Sequence, residues 1–109
     1  MKVNLNKILK KGRALYLAYD QGLEHGPSMD FNDININPSY IIEIAKKGKF
    51  QGLVFQKGIA EKYHTEIKKS KIPLILKLNG KTNLYKGELI ARQLCSVKEA
   101  IQLGASAVG

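Results

Sequence analysis

Three times along this chain, a short apolar run ends abruptly on polar side chains and a glycine. Ala14-Leu15-Tyr16-Leu17-Ala18-Tyr19 runs into Asp20 and Gly22, Leu53-Val54-Phe55 into Gln56 and Gly58, and Leu74-Ile75-Leu76-Lys77-Leu78 into Asn79 and Gly80. Each run is too short for a helix of ordinary length, and its composition suits a strand buried on both faces, as in a parallel sheet covered by helices. In parallel α/β sheets ligands bind beyond the C-terminal ends of the strands, where these polar residues fall. Asp20 has two readings at this level. It ends the strand as a turn-forming acid, with Gly22 and Gly26 making a plain connection, or it marks a site of chemistry.

The segments between the runs carry helical signals. Asn37-Pro38 reads as an N-cap followed by proline at the first helical position. Tyr40, Ile41, Ile44 and Ala45 share the face that follows, and Gly48 supplies the stop. Ile59, Ala60, Tyr63 and Ile67 mark a second helical face, closing on the basic stretch 68–71. Ser96-Val97-Lys98-Glu99 is a capping box that opens a helix ending at Gly104, and residues 105–109 open a fourth strand. Residues 1–13 read as a short helix over the bottom of the sheet, and residues 21–37 as a long connection of the kind that tends to carry function. The order is βαβαβαβ within one domain, residues 1–109. Strands near 14–20, 52–57 and 73–79 are predicted to be parallel and adjacent in the order 1-2-3.

Side-chain alternation divides each strand into two faces. Leu53 and Phe55 oppose Val54 and Gln56, and Leu74, Leu76 and Leu78 oppose Ile75, Lys77 and Asn79. The leucine-rich faces belong against helices. The mixed faces place Asp20, Gln56, Lys77 and Asn79 together at the mouth of a barrel or crevice.

Several function classes fall away. The net charge of +9 invites a nucleic-acid reading, but 16 of the 18 basic residues are lysine, spread from Lys2 to Lys98, and only Arg13 and Arg92 offer the planar fork that phosphate and base recognition favour. A solvated lysine-rich surface is the better account. Cys95 is the single cysteine, so no intrachain disulfide forms and a cytoplasmic setting is expected. No run approaches the roughly 20 apolar residues of a membrane span. The phosphate cradles G-x-G-x-x-G and G-x-x-x-x-G-K-[ST] are absent. His25 and His64 lack ligand-spaced partners, so no metal site is expected; His64 reads as an exposed helix residue.

Residues 18–27, Ala-Tyr-Asp-Gln-Gly-Leu-Glu-His-Gly-Pro, with Asp30-Phe31 after them, closely resemble archaeal-type class I fructose-bisphosphate aldolases. Residues 55–63 (Phe-Gln-Lys-Gly-Ile-Ala-Glu-Lys-Tyr), 77–82 (Lys-Leu-Asn-Gly-Lys-Thr) and 104–109 (Gly-Ala-Ser-Ala-Val-Gly) resemble the same family in the same order. The resemblance covers about residues 13–109. It implies a (β/α)8 TIM barrel and reversible cleavage of fructose 1,6-bisphosphate to dihydroxyacetone phosphate and glyceraldehyde 3-phosphate. The chemistry implied is a lysine Schiff base, with neither a metal nor another cofactor. It also implies that Asp20 is the acid–base residue at the end of the first strand. His25, Gln56, Lys77 and Asn79 are then candidates for substrate contact.

A (β/α)8 barrel takes about 250 residues, and the 109 here supply about three and a half βα units. The resemblance places the Schiff-base lysine, a tyrosine proton donor and the main phosphate-binding loops on later strands. Lys77 sits on an inward face, where desolvation alone would lower its pKa and position alone would suggest a nucleophile. Its match is to the third strand, which leaves it as a substrate or network contact, or as a structural lysine. Two alternatives stand beside the aldolase: a related synthase using transaldol chemistry to make a precursor of aromatic amino acids, and a non-catalytic split-barrel fragment. The expected partners are a phosphorylated sugar and either further copies of a complete barrel or a complementing C-terminal fragment, with no nucleic acid or membrane.

Overall fold

A computed structural model describes residues 3–26 and 29–109; Lys2 and Pro27, the last residue of the first motif, lie outside the described residues. Strands β1 (Tyr16–Ala18), β2 (Gly52–Gln56), β3 (Leu74–Lys77) and β6 (Ala107–Val108) form one parallel sheet in that order. Tyr16 pairs with Gly52, Gln56 with Lys77 and Ile75 with Ala107. The predicted order and direction of the first three strands are both observed, and the fourth strand joins the far edge.

The helices are α1 (Gln21–Glu24), α2 (Pro38–Lys47), α3 (Lys57–Lys62), α4 (His64–Ser70) and α5 (Val97–Gln102). The start of α2 is as read, with the Asn37 side chain accepting a hydrogen bond from the Ser39 N–H at 3.0 Å. At α5 both halves of the capping box form: Ser96 Oγ accepts from the Glu99 N–H at 3.2 Å and Glu99 Oε2 accepts from the Ser96 N–H at 2.8 Å. Leu53, Phe55, Leu74 and Leu76 point into the helical layer, where they form one core with Ala45, Ala60, Ile67 and Ala100. The leucine-rich faces therefore do meet helices, as alternation requires.

Several expectations need correction. The buried stripe of α2 is Pro38, Ile41, Ile42 and Ala45. Because α2 packs on α4 as well as β2, the stripe turns toward Ile42 and leaves Tyr40 45% exposed. The second helical segment is two helices. Tyr63 departs from helical dihedrals (φ −106°, ψ 19°), although its N–H still bonds to the Ile59 carbonyl and its own carbonyl accepts from the Ile67 N–H. Among the described residues 3–13 the helical content is a three-residue 3-10 turn, Leu5–Lys7, followed by a Lys10–Arg13 bridge. The third strand ends at Lys77 rather than at 79. Beyond Leu78, β4 (Asn79–Gly80) pairs antiparallel with β5 (Arg92–Gln93), closing the excursion of residues 81–91 with a two-residue ribbon. Leu78 makes the break possible by bonding in two directions. Its N–H donates to the Gly109 carbonyl at 2.8 Å, and its carbonyl accepts from the N–H groups of Leu94 and Cys95. The connection 21–37 opens with the single turn α1 and is pinned by Tyr19, whose buried ring lets its hydroxyl donate to the Asn35 carbonyl at 2.7 Å.

Candidate active site

Asp20 lies two residues beyond the end of β1 and takes the N-cap position of α1, yet its side chain makes no capping hydrogen bond. Its carboxylate goes elsewhere: Lys77 Nζ, at the end of β3, donates to Asp20 Oδ2 at 2.6 Å. The same ammonium donates to Glu24 Oε1 at 2.7 Å. Asp20 and Glu24 stand one helical turn apart, and the Glu24 N–H bonds to the Asp20 carbonyl at 3.2 Å. An i, i+4 spacing puts two side chains on one helix face, so both carboxylates converge on a cation delivered by a strand two positions away in the sheet. The strands explain the delivery, since Lys77 lies in register with Gln56 and on the open face opposite Leu76.

These contacts set the electrostatics. Burial pulls the Lys77 pKa down, but its hydrogen bonds to Asp20 and Glu24, and their charges, outweigh that and hold it above the ordinary lysine value. Desolvation therefore does not make Lys77 a nucleophile: two carboxylates favour its charged form. The hydrogen bond from Lys77 is the main reason the Glu24 carboxyl lies below its usual value, against a smaller opposing effect of burial.

Gln56 Nε2 donates to the Asn79 backbone carbonyl at 3.4 Å, which brings these two candidates together. Gly80 makes room for this approach. A Cβ there would stand 2.7 Å from Gln56 Nε2 and 2.7 Å from Leu23 Cδ2. Asp20 and Gln56 also line a cleft of about 580 Å³ with Tyr19, Leu23, Lys62 and Tyr63. His25 is not drawn into the cluster; it is exposed and lines a separate hollow of about 240 Å³ with Gln21, Asp30 and Phe31. Glu24 was missed. The signal for it was its spacing from Asp20, which has meaning only once residues 21–24 are known to be a helical turn. Among the described residues, no three His, Cys, Asp or Glu side chains converge as a metal ion would require.

A second ion pair lies outside this cluster. Lys57 Nζ meets Glu99 Oε1 at 2.6 Å and ties α3 to the capping box of α5. The Lys57 hydrogen bond, followed by those from Ser96, brings the Glu99 carboxyl down to about 2.

Residues 14–109 match the description of the DeoC/LacD family aldolases. The chain belongs to this family. A class 1 fructose-bisphosphate aldolase from Thermoproteus tenax is 53% identical over 102 residues, covering 92% of this chain and 37% of the relative. A Methanocaldococcus jannaschii protein named fructose-bisphosphate aldolase/6-deoxy-5-ketofructose 1-phosphate synthase is 34% identical over 99 residues, covering 86% of this chain and 31% of that protein. The crystallised archaeal fructose-1,6-bisphosphate aldolase whose catalytic Lys is covalently bound to the carbinolamine intermediate superposes with a TM-score of 0.84 at 51% identity, covering 96% of this chain and 41% of that one. The chain thus spans about a third to two-fifths of the length of these relatives, and its parallel sheet corresponds to the N-terminal part of the aldolase TIM barrel. Among the described residues, no helix is long and apolar enough to cross a membrane.

Proposed function

We propose that residues 1–109 form the N-terminal part of a (β/α)8 domain that works as a class I fructose-bisphosphate aldolase, with Asp20 as its acid–base residue. The observation that carries this reading is the Asp20 carboxylate itself. It stands at the C-terminal rim of the sheet, is not spent on capping, and is bonded to Lys77. In the reaction proposed, a lysine amine adds to the ketone carbonyl of fructose 1,6-bisphosphate and water leaves, giving a protonated imine. The bond between C3 and C4 then breaks as the C4 hydroxyl loses its proton. Glyceraldehyde 3-phosphate departs, and the imine nitrogen accepts the electron pair. Proton return to carbon and hydrolysis release dihydroxyacetone phosphate.

Asp20 moves protons during imine formation and hydrolysis, a task that needs a carboxyl within hydrogen-bond reach of the reacting atoms. Lys77 does not make the imine, because an amine held protonated by two carboxylates has no lone pair to offer. That lysine is proposed to come from a strand outside these residues. Gln56, Lys77 and Asn79 contact the sugar or hold the network around it. His25, in the turn after α1, is proposed as a further contact to the sugar. The partner proposed is a complementing C-terminal portion, with homo-oligomers formed by the completed barrel in the cytoplasm.

The M. jannaschii relative's second activity supports one further reading, a synthase that transfers the three-carbon unit to another acceptor aldehyde. Such a synthase shares imine formation and Asp20, and differs in which aldehyde leaves or enters.

The test joins this chain to the part of an archaeal class I aldolase that follows the matched region. Supplied with fructose 1,6-bisphosphate, the fusion is expected to release triose phosphates that neither part releases alone. A folded fusion that cleaves nothing would contradict the proposal. Transfer to other acceptors without cleavage would favour the synthase.

A further inference from the structure

Glu24 differs from the other acidic residues near the sheet in three respects. Its side chain is 12% exposed, against 25% for Asp20 and 22% for Lys77. It stands four residues after Asp20, so two carboxylates share one helical turn, an arrangement that is unfavourable unless a cation lies between them. And its Oε1 accepts two hydrogen bonds from the β3 side, from Lys77 Nζ at 2.7 Å and from the Lys81 backbone N–H at 3.4 Å. One oxygen therefore links the turn after β1 to the chain after β3.

The groups facing Lys77 are Asp20 from the end of β1, Glu24 from α1 and the neutral Gln56 from β2. An ammonium bonded to a single carboxylate swings on a flexible four-carbon stem. A second carboxylate fixes where it points. We propose that Glu24 is a positioning residue: it holds the Lys77 ammonium between two carboxylates and so fixes its direction toward Asp20. This rests on the reading of Asp20 as the acid–base group, and it assigns Glu24 no contact with the sugar.

A merely structural Glu24 would act through the Lys81 N–H, anchoring one loop to another. Glu24→Gln separates the two roles, because the amide oxygen still accepts from Lys81 while the charge is gone. The readout is the rate at which an amine-modifying reagent labels Lys77 in the 109-residue chain, divided by the rate at exposed Lys47 and measured by peptide mass mapping at one mildly alkaline pH. Only the neutral amine reacts, and each unit of pKa changes its fraction about tenfold. Glu24→Gln is expected to raise the Lys77 to Lys47 ratio several-fold, with an unchanged circular dichroism spectrum. If Glu24→Gln does not fold, Glu24→Asp keeps the charge but draws it back by one methylene, and the same ratio is expected to rise. An unchanged ratio in the folded variant overturns the proposal. So does a ratio that moves with Glu24→Ala but not with Glu24→Gln, since that pattern belongs to an anchor. No sugar is present, so a failure of the aldolase reading would show in the turnover assay and not here.

Discussion

Asp20→Ala in the completed barrel is expected to reduce turnover of fructose 1,6-bisphosphate by roughly 10²–10⁴-fold, the usual scale for losing a positioned acid–base group. The geometry argues that this loss is chemical rather than structural. The Asp20 side chain caps nothing, so its removal costs α1 no hydrogen bond. Lys77 keeps Glu24 as a partner at 2.7 Å, so no cation is stranded. Asp20 is also partly exposed, and the truncation opens no sealed cavity. Asp20→Asn is expected to be nearly as slow, because an amide of the same shape neither takes nor gives the proton. Steady-state kinetics beside a thermal melt check this: kcat falls, while KM and Tm move little. A variant with full turnover would remove Asp20 from the chemistry.

The largest effect on stability is expected at Phe55. It is fully buried near the C-terminal end of β2, and its ring meets that of Tyr19 edge to face, with centroids 6.1 Å apart and planes at 89°. Replacing a core Phe by Ala costs about 3–5 kcal/mol, part in transfer and part in the cavity left behind. Whole domains have only about 5–15 kcal/mol to lose. Tyr19 would also lose the ring that seats it, and with it the anchor for Asn35 and the connection 21–37. Phe55→Ala is therefore expected to lower Tm by more than about 10 °C or to abolish the cooperative transition. Thermal unfolding followed by circular dichroism decides it, and a fall of only a degree or two would mean that the core is not centred on β2.

What could be read from the residues follows from how local each signal is. Asn37-Pro38 and Ser96-Val97-Lys98-Glu99 carry their capping chemistry within four residues, and both helix starts form where they were read. Strand order and facing were legible because period-2 alternation leaves the leucines of β3 a single apolar side to choose. The ends of the strands were not legible. Nothing in Leu78-Asn79-Gly80 states that the chain leaves the sheet at Leu78, since the cause is a set of backbone bonds to Gly109, Leu94 and Cys95, distant in sequence. Tyr40 and Ile42 were exchanged because helical spacing marks a stripe but not the second helix that shifts it. At the site, Gln56 and Lys77 lie side by side because the β2–β3 register pairs them, whereas Asp20 lies beyond β1 and Asn79, in β4, meets Gln56 through its backbone carbonyl. Glu24 lies in a segment whose Gly22 argues for a loop, so its spacing from Asp20 carries no signal until the helical turn is seen.

If residues 1–109 supply the acid–base rim of a Schiff-base aldolase while Lys77 stays clamped by Asp20 and Glu24, the imine must form on another lysine. Borohydride reduction of the completed barrel during incubation with dihydroxyacetone phosphate, followed by peptide mapping, tests it most directly. A stable adduct is expected on a lysine of the complementing portion, with Lys77 unmodified. An adduct on Lys77, together with turnover abolished by Lys77→Ala and not by substitution of any other lysine, would contradict it.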